Sequence, residues 1–121
     1  MIGIGVDLVE VDRVRVALAR TPTLAGRLFT AGERAYAESA KDPAERFAVR
    51  FAAKEAVMKA LGVGLGSVDW HDIEVVRAPS GEPSLLITGR AAALAAAAGV
   101  TEWKLTLAHT HRTAEAIAVA L

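Results

Sequence analysis

Asp7, Glu55 and His109 supply two carboxylates and an imidazole in a chain that contains no cysteine. That donor set suits a hard, oxygen-ligated cation better than zinc. Magnesium takes one or two protein carboxylates and completes its shell with water and phosphate oxygens, so the set points to a phosphate-bearing substrate. Arg46, Arg50 and Lys54 follow one another at four-residue steps, drifting about 40° per step on a helix, beside Glu55. Cations next to carboxylates are the equipment for stabilising charge on a phosphoryl group in transfer. Each residue alone also has an ordinary reading. A strand-end aspartate caps a turn, Glu55 pairs with Lys59 one turn on, and a lone histidine is often merely satisfied.

These residues need elements to hold them. Residues 2–11 alternate as a strand, with Ile2, Ile4, Val6 and Leu8 on one face and Gly3, Gly5, Asp7 and Val9 on the other. Glycines in a strand mark close approach of another backbone or a ligand, which puts Asp7 at the edge of a flat, accessible surface. A helix follows over 12–19, and Pro22 opens another turn or short helix. Thr30-Ala31-Gly32-Glu33 has capping-box spacing and starts a helix to about Ala40. Asp42 and Pro43 start a long helix that Gly62 stops near Leu61. On that helix Phe47, Phe51, Met58 and Leu61 form an apolar stripe, and Lys54 falls inside it. Either its stem packs while the ammonium reaches water, or it faces a ligand.

Gly62, Gly64 and Gly66 close a helix rather than open one, the reverse of a phosphate loop. Residues 70–76 predict a strand, 79–82 a turn, 84–88 a strand, and Thr88 the start of an alanine-rich helix to Ala98. Two strands, 103–110 and 114–121, form a closing hairpin. Strands and helices do not alternate regularly, so the expected class is α+β, a largely antiparallel sheet packed against a long central helix.

With 121 residues, 53% of them apolar, the chain fits one domain, 1–121, burying about 65% of the surface its unfolded form exposes. Fourteen basic residues balance fourteen acidic ones, so neither nucleic acid nor membrane is an expected partner. The first residues carry acids where a signal peptide carries bases, and no apolar run reaches the roughly 18 residues of a membrane span, so the expected compartment is the cytoplasm. The charge is unevenly spread. Arg13, Arg15, Arg20 and Arg27 crowd residues 12–28, and Arg13 and Arg20 share one helix face, either a solvated face or a basic stripe for a partner.

The opening GIGVDLVEVDR at 3–13, Phe29-Thr30 with Glu33, RFAAKEAVMKALG at 50–62, Trp70-His71-Asp72-Ile73-Glu74, the Gly81-Glu82-Pro83 turn and the terminal hairpin resemble the holo-acyl-carrier-protein synthases. These are the small bacterial class of 4′-phosphopantetheinyl transferases. The resemblance implies transfer of 4′-phosphopantetheine from coenzyme A to a serine of apo-acyl carrier protein, releasing adenosine 3′,5′-bisphosphate, with Mg²⁺ as cofactor. It implies Asp7 and Glu55 as metal ligands, Glu55 and Lys59 as catalytic residues, and Arg50, Lys54, Lys59, Pro83 and His109 as contacts to coenzyme A. It assigns Arg13 to the acidic carrier protein, with Arg20 on the same stripe, and implies a homotrimer whose active sites lie between subunits. One departure stands out. The family strand usually ends Ser-His-Asp, and this chain has Ala108-His109-Thr110. Two other readings compete with the transferase: a non-catalytic carrier-binding or trimerising module, and a magnesium-dependent nucleotide hydrolase.

Overall fold

The computed structural model describes residues Met1–Leu121. In chain order the elements are β1 (Gly3–Glu10), α1 (Val11–Arg20), α2 (Leu24–Leu28), α3 (Ala31–Glu38), α4 (Pro43–Leu61), a 3₁₀ turn (Trp70–Asp72), β2 (Ile73–Arg77), β3 (Pro83–Ile87), α5 (Gly89–Ala97), β4 (Trp103–His109) and β5 (Thr113–Ala120). All strand pairs are antiparallel, in two sheets: β1-β5-β4 and β2-β3. This is the expected α+β class, with the antiparallel strands divided between two sheets. No helix is long and apolar enough to cross a membrane.

The helix α4 lies in a trough of very small residues. Gly3 and Gly5 of β1 face the carbonyl oxygens of Ala60 and Ala56, and a Cβ at either glycine would collide with that helix backbone. In β5 the residues opposite them, Ala120 and Ala118, and the next inward residue, Ala116, are fully buried. Ala52, Ala53, Ala56 and Ala60 line the helix side of the contact. Backbone therefore packs on backbone, and the register places Asp7 opposite Ala116 on the same inner face.

That geometry reverses part of the expectation for β1. Its glycine face is covered by α4 rather than being a flat accessible surface, and the apolar face is the one left open. Ile4 is 57% and Leu8 67% exposed, with Ile2 and Val6 similarly placed. Strand alternation reveals two faces; it does not say which one the chain itself covers.

Local signals are otherwise realised closely. Thr30 and Glu33 make both hydrogen bonds of the capping box. Gly62 ends α4 with φ of 71°, a left-handed position that favours glycine. Asp42 is not a side-chain cap, because its carboxylate is drawn to Arg15 at 2.6 Å. Residues 70–72 form a 3₁₀ turn instead of the start of a strand, stabilised by reciprocal bonds between Asp69 and Asp72. Asp72 also accepts from the backbone N–H groups of Arg90 and Ala91, and thereby caps α5 in place of Thr88.

Candidate active site

Two clefts on different sides of α4 hold most, but not all, of the residues singled out in the sequence. The first, about 750 Å³, is lined by Asp7 and Glu10 of β1, Arg13, Val14 and Leu18 of α1, and Phe51 and Glu55 of α4, with Phe29 and Leu28 at its floor. Asp7 reaches it because the strand alternation turns every second side chain towards α4. Lys59 donates to Asp7 Oδ1 at 3.0 Å and to the Val6 carbonyl at 2.9 Å, so its partner is Asp7 across the packing interface rather than Glu55 one turn back. Glu55 is the unpaired carboxyl of the group. Burial raises its pKa, the Asp7 charge raises it further, and Lys59 opposes both. The two carboxyls thus share one cleft, and burial together with the Asp7 charge disfavours the ionised form of Glu55.

The second cleft, about 670 Å³, brings together Arg50, Pro83 and His109, with Tyr36, Arg46 and Arg77 beside them. Glu55 and Arg50 are five residues apart on α4, which is about 140° of rotation. One helix cannot deliver both to a single cleft, so the carboxylates and the nucleotide-contact candidates separate within one chain. Glu45 lies 3.2 Å from both the His109 and the His111 Nδ1 atoms. Thr110 is no partner of His109 through its hydroxyl, which instead accepts from the backbone N–H groups of Arg112 and Thr113 and shapes the hairpin turn.

Lys54 belongs to neither cleft, which corrects its expected role at the coenzyme phosphates. Its side chain is fully buried, and its ammonium donates to Glu33 Oε1 at 2.8 Å, to the Trp70 carbonyl at 3.0 Å and to the Ile73 carbonyl. All three donors are used inside the protein, so the snorkelling reading fails as well. Burial lowers the Lys54 pKa, opposed by the charge and hydrogen bond of Glu33. Glu33 in turn accepts from the backbone N–H of Val75 at 2.9 Å, so one carboxylate fastens α3, α4 and β2 together. Its capping-box role was legible in sequence; its ion pair was not.

On α1, Arg13 lines the first cleft and shares a shallow outer groove with Arg20. Arg15 does not join them, since it is tied to Asp12 and Asp42. Residues that sequence reasoning missed are Tyr36, Arg77, Glu45 and the partner role of Glu33. Only geometry unites them, because they come from three separate elements, α3, α4 and β2.

Residues 3–119 match the family model described as the 4′-phosphopantetheinyl transferase superfamily. The chain is 52% identical over 120 residues to the holo-[acyl-carrier-protein] synthase of Frankia casuarinae, covering 99% of this chain and 97% of that one. Among solved structures it is similar to the holo-[acyl-carrier-protein] synthase of Neisseria meningitidis, with a TM-score of 0.90 and 29% identity over 100% of this chain and 98% of the other. It is also similar to the Bacillus anthracis holo-(acyl-carrier-protein) synthase solved in complex with CoA (3′,5′-ADP). That match has a TM-score of 0.81 and 33% identity, covering 98% of this chain and 95% of that one.

Proposed function

Because the chain belongs to the 4′-phosphopantetheinyl transferase superfamily, we propose that it is a holo-acyl-carrier-protein synthase whose two clefts handle the two ends of coenzyme A. It transfers 4′-phosphopantetheine from coenzyme A to a serine of apo-acyl carrier protein. The serine oxygen forms a bond to the β-phosphorus, the diphosphate linkage breaks, and adenosine 3′,5′-bisphosphate leaves. The observation that carries the site assignment is the pairing of Asp7 and Glu55 in one cleft with Lys59 on Asp7.

That donor set fits Mg²⁺. It offers two carboxylates and no thiolate or imidazole, and the raised proton affinity of Glu55 marks a position short of positive charge. Asp7 and Glu55 would hold the ion, which when bound supplies positive charge to the diphosphate oxygens. Lys59 contributes a second positive charge where the leaving phosphate develops its own. The serine proton passes to Glu55 directly or through one water held there.

Arg13 and Arg20 receive the acidic carrier, steering its approach to the mouth of the first cleft. The functional assembly is a homotrimer with sites between copies. Two observations support it: the open apolar face of β1, and the separation of Asp7 and Glu55 from Arg50, Pro83 and His109 within one chain. A neighbouring copy completes the site by bringing its second cleft to the first cleft of this one.

The test is carrier mass after incubation of the protein with apo-carrier, coenzyme A and Mg²⁺. The expected result is a gain of one phosphopantetheine, lost in Asp7→Ala and Glu55→Ala with the fold retained. No gain on several apo-carriers would leave a binding module, and coenzyme A breakdown without carrier loading would indicate a hydrolase.

A further inference from the structure

The 3₁₀ turn at Trp70–Asp72 lines neither cleft, yet it supports two parts of the first one. Trp70 stacks on Phe51 of α4, with ring centroids 5.4 Å apart and planes inclined by 24°. His71 reaches across 45 residues of chain to α2, its Nε2 lying 2.8 Å from the Gly26 carbonyl oxygen. A carbonyl only accepts, so Nε2 carries the proton. The neutral imidazole in that tautomer and the imidazolium both donate there, so the bond needs a donor and not a charge.

The helix α2 depends on such a tie. It has five residues, none of them buried, and its N-cap Thr23 makes no side-chain bond. A helix this short is marginal by itself. Its neighbouring backbone bonds are local, from Leu24 to Thr21, Arg27 to Thr23 and Phe29 to Ala25, so His71 supplies the one hydrogen bond from α2 to a distant element. The turn that carries His71 is firmly seated in return. Buried Lys54 donates to the carbonyls of Trp70 and Ile73, Asp69 accepts from the His71 backbone N–H at 2.8 Å, and Asp72 joins the turn to α5. His71 thus fastens a loose helix to a fixed point.

We propose that His71 is a positioning residue for the transfer, latching α2 to the 3₁₀ turn so that Leu24 and Leu28 stand as the apolar wall that the carrier protein meets beside Arg13. This rests on the transferase reading. Leu24, Leu28 and Arg13 line the same cleft as Asp7 and Glu55, so the charge that draws an acidic carrier adjoins the apolar surface that receives it. With the latch broken, only the fraction of molecules whose α2 is in place binds carrier well, and the apparent affinity falls by that fraction. The reacting atoms and the second cleft are untouched.

Steady-state kinetics in wild type, His71→Gln, His71→Asn and His71→Leu test this, with apo-carrier and coenzyme A varied in turn. Glutamine places an N–H donor at about the reach of Nε2, asparagine falls one bond short, and leucine has no donor. His71→Leu and His71→Asn are expected to raise KM for apo-carrier about tenfold, with kcat at saturation and KM for coenzyme A nearly unchanged. His71→Gln keeps the wild-type values. The side chain is exposed, so all three variants fold. Amide hydrogen exchange reads the latch directly in the protein alone: the Arg27 and Phe29 N–H groups should exchange about tenfold faster in His71→Leu and at the wild-type rate in His71→Gln. Equal rises in KM for carrier and coenzyme A, a glutamine variant no better than leucine, or unchanged exchange in α2 overturns the latch. Exchange that follows the donor in a protein that never loads a carrier keeps the latch and loses the transferase. Carrier loading with one KM for all four proteins does the reverse.

Discussion

Glu33 Oε1 lies 2.8 Å from Lys54 Nζ, and neither side chain touches solvent. Removing one member of such a pair strands the other's charge in the interior, at a cost of about 3–5 kcal/mol. Lys54→Met and Glu33→Gln should each lower the unfolding free energy from urea titration by that order, seen as a lower midpoint at unchanged slope. The double variant should recover part of the loss, since the buried charges go together while the carbonyls of Trp70 and Ile73 still lack a donor. Strict additivity in the double-mutant cycle would show that the two charges are independent and refute the coupling.

Glu55 predicts a stability change with pH of definite sign. Its folded pKa is raised above the 4.5 of an ordinary glutamate, so its contribution to stability is complete below pH 4.5 and is lost as pH rises through the folded value. In chelated protein, Glu55→Gln should therefore melt above wild type at pH 7 and match it below pH 4.5. Added Mg²⁺ should raise the wild-type Tm and leave Glu55→Gln close to its metal-free value, because only the former carries both ligands. A Glu55→Gln melting temperature that tracks wild type at every pH contradicts the strained carboxyl.

The basic stripe on α1 makes a kinetic prediction. Arg13→Glu should raise KM for apo-carrier about tenfold at low salt with little change in kcat, and Arg20→Glu should raise it less, being farther from the cleft. Near 1 M salt, where charges are screened within about 3 Å, the gap to wild type should close. A salt-independent defect would assign Arg13 to something other than steering.

The open apolar face of β1 predicts assembly. Ile4→Lys with Leu8→Lys should drop the light-scattering mass from three chains to one of 12.7 kDa, and turnover should fall with it. An unchanged mass would place the contact between copies elsewhere.

What the sequence disclosed follows the range of the forces involved. The Thr30-Glu33 box, the Pro43 start and the Gly62 stop are decided within a few residues, so they can be read off the chain. Lys54 was legible as an anomaly, a charge inside an apolar stripe, while its explanation lay on α3, brought near only by folding. The Trp70–Asp72 turn escaped because its side chains bond locally and override strand propensity. The split into two clefts needed the rotation of α4 to be set against its neighbours on both sides. The open face of β1 was invisible for a different reason: hydrophobic alternation is the same whether the cover is this chain or another.

Gly5 and the Ala56 carbonyl meet with no side chain between them. The main-chain spacing beneath Asp7 and Glu55 is consequently set by backbone contact, leaving only the rotamers of the two carboxylates to adjust. Loosening the surrounding core by substitution should cost stability well before it changes that interval. The floor between β1 and α4 then stays put while the two carboxylates turn towards what binds above it.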